Sequence, residues 1–192
     1  MQRSIIRKQV VPFLALFAGL IMGALILDWL LHQLELVWIG RWLGIPGTLM
    51  ILTSFLYSLR KRKKIGFGKP KHLLALHETL TWVGALMILV HAGIHIYAIL
   101  PWLALFAMLV NVISGMTGKY LLDSSRLALA DKQAHYQAQG MSGEAIEQQL
   151  FWDATTVDMM KQWRLVHLPI TLAFAVLGLA HILSIFLFWQ WQ

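Results

Sequence analysis

Four histidines of this chain share one spacing. His77 and His91 are fourteen residues apart, and so are His167 and His181. Each pair lies in an apolar stretch, and fourteen residues at about 100° each fall only about 40° short of four helical turns. If these stretches are helices, both histidines of a pair lie on one helix face, about 21 Å apart along the axis.

Imidazole is a common ligand of haem iron, which takes two axial ligands from opposite sides of the macrocycle. Two such helices side by side would pair His77 with His167 and His91 with His181, and so form two bis-histidine haem b sites, one above the other. A single zinc or copper site is disfavoured, because its ligands must all lie within about 2 Å of one ion. A lone membrane histidine more often packs or relays protons, so the repeated spacing is what favours ligation.

The composition places these histidines in membrane helices. The 192 residues are 58% hydrophobic and 13% charged, which is unusual for a soluble domain. Five apolar segments are near the roughly 20 residues that a span requires; they are residues 10–31, 43–59, 73–98, 101–121 and 165–189. We expect an all-α integral membrane bundle of five transmembrane helices, forming one domain over residues 1–192, with haem sites between the third and fifth spans.

Basic residues predict the orientation of these spans. All 16 Lys and Arg residues except Arg41 lie before the first span, between the second and third, or at the ends of or within the connection between the fourth and fifth. With five spans these regions share one side, which the positive-inside rule assigns to the cytoplasm. We therefore expect a bacterial inner (cytoplasmic) membrane protein with a cytoplasmic N-terminus, and assign the net charge of +7 to topology and membrane lipid, with no nucleic acid partner.

The polar region 123–162 precedes the fifth span. Its pattern predicts two helical segments divided at Gly140, with Ser142 as the N-cap of the second and Thr155 or Thr156 capping the approach to the fifth span. Its aromatic residues indicate contact with the membrane surface. We interpret it as a cytoplasmic flap on which other redox subunits dock.

Further residues are candidates for supporting roles. Lys71 and Arg164 are candidate partners of haem propionates on the cytoplasmic side. His95, one turn beyond His91, is an alternative ligand or part of an outer quinone or propionate pocket. His72 and His135 are expected at the surface.

Three polar residues adjacent in sequence to the histidines are candidates to tune them. They are Glu78 and Thr79 beside His77, and Ser184 beside His181. Glu78 is also a candidate for an inner quinone pocket.

The pattern H-x13-H on two parallel helices, separated in sequence by a third, resembles the membrane di-haem cytochromes b. These are the core of the bc-complex cytochrome b and the membrane domain of ferric reductases and NADPH oxidases. The second group also places its ligands on helices three and five, and the resemblance covers residues 70–190. It implies that His77, His91, His167 and His181 are the axial ligands. The chain lacks a C-terminal flavin and nicotinamide domain and the PEWY quinol-site motif.

The function expected from these features is transmembrane electron transfer. Ligation by two histidines leaves no open iron position, and the absence of cysteine excludes thiolate-bound clusters. We expect the membrane subunit of a quinone- or quinol-linked oxidoreductase complex, carrying two haem b. The alternatives are a transmembrane ferric reductase-like protein that works with a separate flavoprotein, and a cofactor-free membrane anchor or transporter.

Overall fold

The computed structural model describes residues 11–93, 98–117 and 122–188, without the side chains of residues 123, 163 and 164. The described residues form eight α-helices and no strand. In chain order they are α1 (Val11–Gln33), α2 (Val37–Trp42), α3 (Gly44–Ser54), α4 (Leu56–Lys61), α5 (Pro70–Ala92), α6 (Ile99–Met116), α7 (Asp123–Ala138) and α8 (Gly143–Phe188).

Five helical stretches are long and apolar enough to cross a membrane. They are α1, the stretch Val37–Lys61 formed by α2 to α4, α5, α6 and α8. Large apolar side chains on them remain exposed, among them Trp29, Phe106 and Leu187, as expected for helices whose solvent is lipid. The prediction of an all-α protein with five membrane helices is confirmed.

The second span is a helix with two short interruptions. Leu43 separates α2 from α3 and Phe55 separates α3 from α4, and both residues keep right-handed helical dihedral angles. The last carbonyls before such an interruption lack some of their intrahelical partners. Such a carbonyl can also accept a second hydrogen bond, because its oxygen has two lone pairs.

The third span ends earlier than the sequence suggests. A single helix was expected through residue 98, but α5 ends at Ala92 and is followed by Gly93 with φ 53°. Residues with a Cβ rarely adopt positive φ, so a glycine at this position is a common helix end. His91 therefore lies in the last turn of α5, and His95 lies outside the described residues.

The fifth span belongs to a longer helix than predicted. Gly140 (φ 76°) does divide α7 from α8, and the N–H of Ala145 donates to Ser142 Oγ at 3.4 Å, which confirms the N-cap. A second cap at Thr155 or Thr156 is wrong, since α8 continues through both residues. The Thr156 hydroxyl instead donates to the carbonyl of Trp152 at 2.7 Å, inside the helix.

Helix α8 is longer than a membrane span requires. Its 46 residues correspond to about 69 Å of helix at 1.5 Å per residue. The hydrocarbon core of a bilayer is about 30 Å thick. The apolar C-terminal part of α8 is therefore sufficient to cross it, and the polar N-terminal part is additional.

The chain divides into two compact units. Of the described residues, the first unit comprises 11–18, 113–117 and 122–172, and the second comprises 19–93, 98–112 and 173–188. In the first unit an ion pair between Lys132 and Asp153 links α7 to α8. The apolar residues of α8 that are buried there are Ile146, Leu150, Val157 and Met160.

In the second unit, α3 packs on α5 where two glycines face each other. A Cβ added to Gly47 would lie 3.0 Å from the carbonyl oxygen of Gly84, and one added to Gly84 would lie 2.9 Å from that of Gly47. The distance of 2.9 Å is shorter than real Cβ contacts, and the distance of 3.0 Å is tighter than most of them. The two backbones can approach this closely only because neither residue has a side chain.

Candidate functional site

Both described histidines of the predicted α5 pair donate hydrogen bonds to backbone carbonyls of the second span. His77 Nδ1 lies 3.1 Å from the carbonyl oxygen of Ser54, and His91 Nδ1 lies 3.3 Å from that of Gly40. Ser54 is the last residue of α3, and Gly40 lies in the last turn of α2. The carbonyl of Gly40 also accepts from the N–H of Leu43 at 3.2 Å, and a carbonyl oxygen has two lone pairs with which to accept both bonds.

The register between the second span and α5 explains why both bonds form. Gly40 and Ser54 are fourteen residues apart, as are His91 and His77. Gly47 and Gly84, which touch each other, lie midway between the members of each pair. The two spans therefore run antiparallel with one constant register, and each histidine lies opposite a carbonyl.

These bonds determine which imidazole nitrogen carries the proton. A carbonyl oxygen only accepts, so a neutral His77 or His91 must carry its proton on Nδ1. The lone pair then lies on Nε2, the nitrogen that is free to bind a metal. Metal-ligating histidines are typically held in this way by a carbonyl or carboxylate on the second nitrogen.

His91 also lies directly against the backbone of α3. A Cβ added to Gly44 would lie 2.8 Å from His91 Cδ2 and 2.9 Å from His91 Nε2. Only glycine leaves room for the ring at this position. His91 is nevertheless exposed as a residue, so one side of it remains open.

His167, in the first unit, is held by α6. Its Nδ1 lies 2.7 Å from Ser114 Oγ, a hydrogen bond in which the donor depends on the tautomer of the imidazole. Ser114 is buried, with 1% of its surface exposed. A Cβ added to the next residue, Gly115, would lie 3.3 Å from His167 Cε1, so this imidazole too packs against a glycine.

One of the two predicted pairs lies within a single unit. His91 and His181 are both in the second unit and are close enough for an electrostatic interaction between their imidazoles. Their pairing as ligands of one iron stays a prediction. The pairing of His77 with His167, which belong to different units, also stays a prediction.

The two histidine helices share a second feature that the spacing argument overlooked. The hydroxyl of Thr81 donates to the carbonyl of His77 at 2.7 Å, and the hydroxyl of Thr171 donates to that of His167 at 2.6 Å. Both helices therefore carry the pattern H-x3-T-x9-H. Threonine bonded to the carbonyl four residues earlier often bends a helix slightly. This longer pattern was visible in the sequence and strengthens the correspondence between the helices.

Of the three polar residues predicted to tune the histidine rings, only Glu78 has a described interaction with a histidine side chain. Glu78 interacts electrostatically with His77. Thr79, by contrast, donates to the carbonyl of Ala75, and Ser184 donates to the backbone carbonyl of His181. These two hydroxyls thus bond within their own helices.

Tyr57 is a neighbour of His77 that the sequence analysis missed. Its ring centroid lies 5.6 Å from that of His77. It comes from α4, on the far side of a helix interruption. No sequence signal connects it to a histidine twenty residues later.

The remaining candidates lie outside this arrangement. Lys71 is exposed at the start of α5, and the side chain of Arg164 is outside the described part of the structure. His72 and His135 are exposed, as predicted. Within the described residues, no three His, Asp or Glu side chains are grouped so that they could hold one metal ion.

Comparison of the chain with protein-family models, with curated proteins and with solved structures finds no match.

Proposed function

We propose that this chain is a membrane cytochrome b that carries electrons through two haems, one held by His77 and His167 and the other by His91 and His181. One observation supports this most directly. On α5, two histidines fourteen residues apart each donate Nδ1–H to a carbonyl of the neighbouring span. Packing alone does not require the same tautomer at both positions, whereas ligation through Nε2 does.

The donor set fits haem b. Two neutral imidazoles suit a ferric or ferrous iron, and the chain has no thiolate with which they would compete. When bound, each haem supplies a one-electron Fe(III)/Fe(II) couple. The residues of the chain orient the imidazoles: the carbonyls of Ser54 and Gly40 hold His77 and His91, while Gly44 lets His91 approach α3.

The cellular role follows from the membrane spans and their charges. We propose a multi-pass protein of a bacterial cytoplasmic membrane with its N-terminus inside, acting as the electron-transfer subunit of a quinone- or quinol-linked oxidoreductase. The other redox subunits would dock on the cytoplasmic flap, which contains α7 and the polar N-terminal part of α8. Six of the nine acidic residues lie in this flap, whereas the loop before α5 is basic, so a partner with a basic face would fit it.

The test is the haem content of the detergent-purified chain, measured by pyridine haemochrome assay and a reduced-minus-oxidised spectrum. We expect two b haems in the native chain and one each in His91→Ala and His181→Ala. The double variant should also keep one haem, because both residues would serve the same iron. Loss of both haems in the double variant would contradict the pairing.

Two matched controls separate ligation from the general effect of losing a histidine. His72→Ala removes an exposed histidine from α5 itself, and His135→Ala removes one from α7. Both variants should retain two haems. A native chain that is folded, helical and colourless would overturn the proposal and favour a cofactor-free anchor or transporter.

A further inference from the structure

Three of the candidate ligands have a described Nδ1 partner, and these partners differ in one respect. His77 and His91 bond to backbone carbonyls, whereas His167 bonds to the side-chain hydroxyl of Ser114 at 2.7 Å. A carbonyl cannot be removed by a substitution. A hydroxyl can, so the environment of His167 depends on the identity of residue 114.

We propose that Ser114 is a positioning residue that orients the imidazole of His167 and tunes the redox potential of the haem this histidine would bind. The inference rests on the function proposed above. With Nε2 bound to iron, Nδ1 carries the proton and donates it to Ser114 Oγ. The serine is held for this role by burial in α6, and Gly115 keeps the adjacent surface free for the ring.

The direction of the tuning follows from ligand basicity. An acceptor on Nδ1–H increases the electron density that the imidazole gives to the metal. The ferric state gains more from this density than the ferrous state does. Removing the acceptor should therefore favour reduction and raise the midpoint potential.

The central experiment compares Ser114→Ala with Thr117→Ala. Both side chains are buried, and the two residues lie about one helical turn apart. The hydroxyl of Thr117 donates to the carbonyl of Ile113 at 2.8 Å. Thr117→Ala thus removes a buried hydroxyl close to Ser114 and leaves the hydrogen bond between Ser114 and His167 in place.

Redox titration of the haem spectrum is the main measurement. We expect Ser114→Ala to keep two haems and to shift one Fe(III)/Fe(II) equilibrium about tenfold toward reduction, which is about 59 mV for a one-electron couple. The second midpoint should not move, and Thr117→Ala should move neither. An electron paramagnetic resonance spectrum should show a changed signal for one haem only, because the ring of His167 is less constrained.

The affected haem can be assigned. In the His91→Ala background only the haem of His77 and His167 would remain, and adding Ser114→Ala must shift its potential. In the His77→Ala background, Ser114→Ala must leave the remaining haem unchanged. A shift of the other haem, or of neither, would overturn the inference.

If Ser114→Ala loses a haem, two further variants at this position test the role of the hydroxyl. Threonine and valine have nearly the same shape, but Ser114→Thr keeps a hydroxyl and Ser114→Val has none. Retention of the haem in Ser114→Thr and its loss in Ser114→Val would support the positioning role. Equal haem content in the two variants would show that Ser114 is a packing residue only, and would overturn the inference. A native chain without haem would instead refute the proposed function itself, so the two failures are distinguishable.

Discussion

The imidazole of His91 occupies space that any residue other than glycine at position 44 would fill. The distances of 2.8 to 2.9 Å from an added Cβ involve three atoms of a ring that also bonds to Gly40. A planar ring held by a hydrogen bond on one edge can move away only by breaking that bond. The position of the His91 imidazole therefore depends on the absence of a Cβ atom at Gly44.

We predict that Gly44→Ala displaces His91 and lowers haem occupancy from two per chain towards one. The matched control is Gly40→Ala, in which the new Cβ would meet its nearest atom, Leu31 Cδ1, at 3.6 Å. That variant keeps the backbone carbonyl on which His91 depends. The measurement is the haem content of both variants, with the reduced-minus-oxidised optical spectrum of each. Equal haem occupancy in the two variants would contradict the steric argument.

The packing of α3 against α5 acts at the scale of the helices. Gly47 and Gly84 bring the backbones together midway between the two histidine–carbonyl pairs. Close approach at the centre keeps both ends in reach of hydrogen bonds about 21 Å apart. The glycine contact thus positions two candidate ligands at once.

We predict that Gly84→Ala destabilises the bundle by about 1–3 kcal/mol, a typical cost of overpacking. The new Cβ would lie 2.9 Å from a backbone oxygen, which cannot rotate away. Gly178→Ala is the control, because nothing lies within 4 Å of its added Cβ, and better helix propensity should leave it neutral or up to about 1 kcal/mol more stable. Unfolding in mixed micelles with increasing denaturing detergent measures both, and equal stability would contradict the close contact.

Charge distribution acts at the scale of the whole molecule. The basic run from Arg60 lies at the end of the second span and continues to the start of α5. Arg60 itself donates to the carbonyls of Gly68 and Ile65, which orders this loop. The opposite loop, between α1 and α2, contains the acidic residue Glu35.

We predict that reporter fusions will place these two loops on opposite sides of the membrane. Alkaline phosphatase, active only outside the cytoplasm, should be active after Glu35 and inactive after Lys64 or Gly140. A fluorescent protein that matures in the cytoplasm should give the inverse pattern. Phosphatase activity of the fusion after Lys64 would contradict the predicted orientation and would place this loop outside the cytoplasm.

Much of the architecture and all four candidate ligands could be predicted from the sequence, because both signals are local. Bilayer thickness imposes a length and composition on each span, and helical periodicity places residues fourteen apart on one face whatever lies around them. The limits of individual helices were less predictable. The apolar run around Gly93 predicts a continuous helix, yet α5 ends there. Threonine at positions 155 and 156 predicts a cap, yet α8 continues through both residues, because side-chain hydroxyls can also bond within a continuing helix.

Only the tertiary structure decided what holds each imidazole. The acceptors for His77 and His91 are backbone carbonyls, which every residue has and which therefore leave no trace in a sequence. Which carbonyls accept these bonds depends on the register between the second span and α5, in which Gly47 contacts Gly84. Composition could indicate that the histidines lie in membrane helices. Which ring nitrogen carries the proton, however, depends on how the neighbouring helices pack.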